Sequence, residues 1–390
     1  MGILKVTRVS KPLIIAAVIF LFIGSSIGAL LMMLLFGFKI SIPFDILRLH
    51  RIIQIDGFLT LLIMGIGYML MPRFRNIDNP KPYQVYIPFT LVLSSLILYI
   101  INYEMLADVL ILAGVVIFSL YIINTTRVKP RLLPISDYYI MLAISALISI
   151  NIIKLFDMQL TLQYIQLWLL FPLFMILGVE YKTLPSFIGY INPRMNYTKL
   201  SLILGVLALS IGIASLVIDL AVIFSMILLA TIAVFDKAVY ATHGFDYREI
   251  LERLNGEELA RYKFTLLHIR LSYLFLYSAL ISSILYHLTY TFALYDLSIH
   301  LMTIGFMGLT IKLYLPMMLP PIIGRVIKFQ RFNLIPLYLL LIALGLRIIG
   351  MFLLASNNEL LLIIGASGWL IIIALFLYAR MIHKSMGVRF

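Results

Sequence analysis

The sequence predicts an all-α integral membrane protein, a bundle of about twelve transmembrane helices with both termini cytoplasmic. Three observations carry this. Hydrophobic residues make up 63% of the 390-residue chain and the mean hydropathy is +1.08, more apolar surface than a water-soluble core can use. The apolar runs are each about 20 residues long, which crosses a hydrocarbon core as a helix and is far too long for strands. Lysine and arginine gather in the loops of one side, as the positive-inside rule requires.

Cut at charged, proline and Gly/Asn clusters, the runs place spans at 13–37, 46–71, 84–102, 106–124, 137–155, 161–181, 198–217, 219–235, 264–287, 297–321, 333–354 and 360–381. The first follows Lys5, Arg8 and Lys11 and is too long and unbroken for a cleaved signal peptide. The second starts LRLHRIIQIDGF and closes at Pro72; the seventh and eighth part at a short hinge, Asp219. Within 236–263, HGFDYREILERLNGEELARYK carries charges at helical spacing, which predicts a short surface helix in a cytoplasmic loop. No linker or internal repeat divides the rest, so 1–390 reads as a single polytopic domain. With the N-terminus inside, only Lys39, Arg48, Arg51 and Lys154 fall on the outer side, and Arg270, Lys312 and Arg347 fall within spans. The other basic residues face the cytoplasm of a multi-pass plasma-membrane protein. The net charge of +13 then reflects topology and anionic lipid, with no nucleic acid partner.

The absence of cysteine excludes disulfides, thiolate metal sites, iron–sulfur clusters and a cysteine nucleophile. Two histidines stand out. His50 leads span two and His300 leads span ten. Both spans run from outside to inside, so both imidazoles come at one depth near the outer surface. Two histidines on two helices at one depth suit a bis-imidazole haem; the plainer alternative is an interfacial histidine bonded to a carbonyl or water. Gly57, Gly65 and Gly67 follow His50, and Thr303, Gly305 and Gly308 follow His300. Such small-residue rows let a flat group or another helix approach closely. Arg48, Arg51 and Arg347 are candidate partners for haem propionates, with an ion pair to Glu359 or Asp296 as the other explanation of Arg347. His268 and Arg270 fit either a quinone headgroup or side chains snorkelling to the inner interface, and His287 is a weaker candidate ligand. His243 and His383 read as solvated, and Lys312 has Glu180 or Asp56 as candidate partners.

The span-ten pattern His300-x2-Thr303-x-Gly305-x2-Gly308, followed by Gly324-Arg325, resembles the NnrS family. These are twelve-span membrane proteins of bacteria and archaea, linked to nitric oxide stress and reported to contain haem and copper. LRLHRIIQIDGFLTLLIMGIGYMLMPRF, with Gly57-Phe58 and Pro72, is similar to the family's second span. GVEYKTLPSFIGY, with Gly178, Pro185 and Phe187, is similar to a run in its sixth. Two family histidines are missing here. One gives way to the Pro-Pro-Ile-Ile run containing Ile322, and a His-x-His is reduced to His50 alone. The resemblance therefore implies haem, of b type, while copper loses ligands. The layout also resembles subunit I of the haem-copper oxidases, whose low-spin haem hangs between histidines of spans two and ten. No histidine lies between His50 and His243, so the oxidase's binuclear-site ligands do not carry over, and a stand-alone oxidase or nitric oxide reductase is not expected. What the resemblance implies is electron transfer or nitric-oxide-linked redox protection. A variant is the membrane subunit of a respiratory complex between quinol and a cytochrome, with lipid, quinone and other subunits as partners. A twelve-span transporter is the rival of another class, with Lys312 and Arg347 in its favour.

Overall fold

The computed structural model describes residues 2–39, 45–127, 134–156, 161–189, 191–242, 248–322, 333–354 and 360–385. Every regular element among them is helical, and twelve helices are long and apolar enough to cross a membrane. The expected all-α bundle is what the chain forms, and it is a multi-pass membrane protein.

In chain order, α1 covers Gly2–Leu35. Span two consists of α2 (Ile46–Ile52), a π-helical segment Ile53–Leu59 and α3 (Thr60–Arg75). There follow α4 (Pro82–Ile100), α5 (Glu104–Arg127), α6 (Ile135–Lys154), α7 (Leu162–Ile188), α8 (Met195–Ala214) and α9 (Ala221–Val239). The short α10 (Arg248–Arg253) precedes α11 (Gly256–Thr289). Span ten repeats the three-part build of span two: α12 (Phe292–His300), a π-helical segment Leu301–Met307 and α13 (Gly308–Ile322). The last two spans are α14 (Ile335–Leu353) and the pair α15 (Leu360–Ala366) and α16 (Gly368–Ser385).

Local chemistry sets the ends. The Asp45 carboxylate accepts from the Arg48 amide and caps α2, and the Thr161 hydroxyl accepts from Tyr164 and caps α7. Pro82 sits in the first turn of α4, where a missing N–H costs nothing. Asn76, with φ of 48°, closes α3 in the left-handed conformation that Asn tolerates best after Gly. The polar stretch 236–263 is divided. α10 is exposed, whereas Gly256 onward already belongs to the helix of span nine. Glu257, Glu258, Arg261 and Lys263 are exposed while Tyr262 and Phe264 are buried, so the polar lead-in and the apolar span join in one helix without a break.

The helices cluster into two compact units. The first holds spans one to four with eleven and twelve; its buried interior includes Leu13, Ala17, Phe36, Tyr68 and Phe118. The second holds spans five to ten around Trp168, Phe171, Phe174, Phe224, Phe235 and Tyr273. In lipid, apolar burial gives little drive between helices, so close packing of such rings and of small residues does the holding.

Candidate functional site

His50 and His300 stand at the same kind of place in their spans. His50 is three residues before the start of one π-helical segment, and His300 is immediately before the other. In each segment the helix takes an extra residue per turn. The Thr60 amide donates to the Ile55 carbonyl, and the Gly308 amide donates to that of Thr303, both five residues back. π turns are rare and concentrate at functional sites. Each of these two contains a Gly-Phe pair, Gly57-Phe58 and Gly305-Phe306.

In the first unit the His50 ring lies against α1. Its Nδ1 is 2.8 Å from the Gly24 carbonyl oxygen, which can only accept, so Nδ1 carries a proton and the neutral ring has its lone pair on Nε2. Gly28, one turn further along α1, makes room for the ring: a Cβ there would lie 2.7 Å from His50 Cε1. One turn beyond that, Met32 Sδ is 3.7 Å from Nη1 of Arg347 on α14. Positions 24, 28 and 32 share one face of α1, so the guanidinium comes about 6 Å along the helix from the imidazole's level. Arg347 is buried. Gln54 adds a hydrogen bond from Nε2 to Ser25 Oγ at 3.1 Å.

The other two arginines are placed differently. Arg48 makes an ion pair with Glu104 at 2.8 Å and longer contacts to Asn102 and the Tyr99 carbonyl, tying α2 to the α4–α5 turn. Arg51 is half-buried. Gly57, expected to admit a flat group or a helix, admits the Phe20 ring of α1, whose Cγ would be 3.0 Å from a Cβ at that position.

In the second unit His300 Nδ1 is 2.8 Å from the Asp296 carbonyl oxygen and 3.2 Å from the Asp296 carboxylate. This again leaves the lone pair of the neutral ring on Nε2. Thr303 turns its hydroxyl back to the Ile299 carbonyl. Gly305 meets Phe275 of α11, whose Cβ would be 2.6 Å from an added Cβ, while at Gly308 an added Cβ would meet only the Thr303 carbonyl at 3.5 Å. Both units thus seat a phenyl ring from the preceding long helix on the glycine of a π turn.

His268 is buried within the protein, its ring 3.9 Å from that of Phe264 and its Nδ1 on the Phe264 carbonyl. Arg270 is exposed; two residues apart on a helix, the pair do not share a face. His287 is buried beside Tyr286, with Nε2 lacking a hydrogen-bond partner among the described residues. Glu180 accepts a hydrogen bond from Tyr273, and Asp236 accepts from Tyr277 and Thr242. Lys312 is buried on α13. His243, Gly324, Arg325 and Glu359 lie outside the described residues.

Gly24 and Gly28 are the site residues that sequence reasoning missed. Their signal was present as a Gly-x-x-x-Gly spacing in an apolar span, the pattern that lets another helix come close. The family model described as NnrS protein matches residues 18–383 of the chain. No curated protein matches it.

Proposed function

The chain belongs to the NnrS family, and on that footing we propose that it is a haem-binding membrane protein with a redox role. The role is electron transfer or protection linked to nitric oxide stress, in the plasma membrane and without a binuclear oxygen-reducing centre of its own. The single observation that carries this reading is the doubled arrangement of His50 and His300. Each precedes a π turn, and each has Nδ1 held by a carbonyl oxygen.

Those residues fit the group. An iron-ligating histidine needs its other ring nitrogen fixed by a carbonyl or carboxylate, which sets the tautomer and the ring's direction. Both candidates have this. A haem so held supplies one-electron transfer between ferric and ferrous iron. The work of the chain is to orient it. Gly24 and Gly28 hold the His50 ring against α1, Asp296 holds that of His300, and Arg347 offers a buried cation for a propionate. Arg48 is paired with Glu104. Within this reading the chain acts alone or as the membrane subunit passing electrons between quinol and a cytochrome.

The test is an absorption spectrum of the detergent-purified chain, oxidised and dithionite-reduced, with His50→Ala and His300→Ala beside it. Haem bands of a six-coordinate b-type centre are expected in the wild type, with most haem lost from each variant while thermal unfolding stays cooperative. Full haem retention in both variants sinks the ligand assignment. A second reading, a twelve-span transporter, draws support from the two spans interrupted by a π-helical segment, since discontinuous helices line transporter sites. A wild-type chain that takes up no haem favours it.

A further inference from the structure

A histidine in a helix commonly turns Nδ1 to the carbonyl four residues back, and His300 does so with Asp296. What is particular to His300 is the side chain of that same residue. Nδ1 is bonded to the main-chain oxygen at 2.8 Å, and Asp296 Oδ1 stands beside that bond at 3.2 Å from Nδ1, an ion-pair contact at the same nitrogen. Asp296 is 6% exposed and the His300 side chain 19%. In so dry a setting a carboxylate acts on a neighbouring N–H more strongly than it would in water.

We infer that Asp296 is a positioning residue for His300, its carboxylate drawing on the Nδ1 proton and so raising the electron donation of Nε2. The inference rests on the reading of His300 as a haem ligand and goes beyond it, because it assigns the tuning of the iron to a residue that does not touch it. The physical step is short. A carboxylate behind a ligating imidazole makes the ligand more basic, and a more basic ligand favours ferric over ferrous iron. Asp296 therefore holds the midpoint potential down.

The experiment is a redox titration of the purified full-length chain, followed by absorption, for wild type, Asp296→Asn, Asp296→Glu and Ser298→Ala. Asn keeps the size and an acceptor oxygen but removes the charge. It should retain haem and raise the midpoint by about a tenfold change in the ferrous-to-ferric ratio at fixed potential, 59 mV for one electron. Glu should stay close to wild type. Ser298→Ala, a buried neighbour bonded to the Tyr295 carbonyl, should leave the midpoint where it was. An unmoved or lowered midpoint in Asp296→Asn with full haem content overturns the inference and leaves the haem reading standing. If Asn loses haem, the Glu variant decides: restored haem at the wild-type midpoint carries the inference, and a Glu variant as defective as Asn overturns it. A wild-type chain without haem bands overturns the haem reading itself, and this inference with it.

Discussion

Replacing Gly28 by alanine tests the His50 seat most directly. The added Cβ would lie 2.7 Å from Cε1, 3.3 Å from Nδ1 and 3.4 Å from Nε2 of the imidazole. Carbon atoms rest at about 3.5–4.0 Å, so the ring must retreat by roughly 0.8 Å or more. It cannot do so freely, because Nδ1 is bonded at 2.8 Å to the Gly24 carbonyl of the same helix. If the ring stays, overpacking costs about 1–3 kcal/mol. If it moves, the hydrogen bond is lost at about 0.5–1.5 kcal/mol and Nε2 points elsewhere. Either way roughly 1 kcal/mol is withdrawn from the ligated state, about fivefold in affinity.

The assay is haem titration of the apo-protein, with the haem-to-protein ratio and the position of the reduced bands as readouts. Gly345→Ala is the control, since an added Cβ there meets nothing within 4 Å. Gly28→Ala should bind haem about fivefold more weakly or show a shifted, five-coordinate spectrum, and Gly345→Ala should match wild type. Wild-type affinity and spectrum in Gly28→Ala would refute the idea that α1 positions the ring.

Three further outcomes follow from the same geometry. Arg347→Leu should keep both axial histidines and a six-coordinate spectrum but lower the midpoint, by roughly the 59 mV of a tenfold one-electron shift, or loosen haem. Arg347→Lys should rescue only in part because it lacks the bidentate fork, and an unchanged midpoint with unchanged haem in the Leu variant would free Arg347 from this role. Gly305→Ala, which would place a Cβ 2.6 Å from Phe275, should destabilise the second unit by about 1–3 kcal/mol. Gly308→Ala should be near neutral, and equal melting temperatures for the two would contradict the packing. Finally, the purified chain should show no sustained oxygen or nitric oxide reduction with artificial donors; turnover above the haem-free background would mean that a reducing centre had been overlooked.

The two carboxylates that the sequence offers Arg347 end differently. Glu359 lies outside the described residues, and the Asp296 carboxylate is 3.2 Å from His300 Nδ1, a contact that says nothing against a further partner. His268 shows why periodicity was insufficient there. Near the start of an apolar run, a histidine that snorkels and one that turns inward onto Phe264 read alike, and only the packing of α11 separates them.

What the sequence by itself determined was the class of fold, the number of spans and the two histidines worth attention. Those follow from composition and length, because lipid accepts only helices whose backbone is satisfied internally and makes ionisable side chains within them costly. The family was legible too, in His300-x2-Thr303-x-Gly305 and the run around Gly178, and the match over 18–383 agrees. What only the tertiary structure decided was how each histidine is held. The π turns after His50 and His300 depend on hydrogen bonds five residues back, and His50 stands seven residues before its glycine while His300 stands five before its own. That unequal spacing hides the likeness of the two spans from any fixed-period comparison. The Gly24 carbonyl, the Gly28 gap, the Phe20 and Phe275 rings and the place of Arg347 beside Met32 are contacts between helices far apart in sequence. Nothing in local propensity encodes them, because they arise when side chains from separate spans fill one another's spaces.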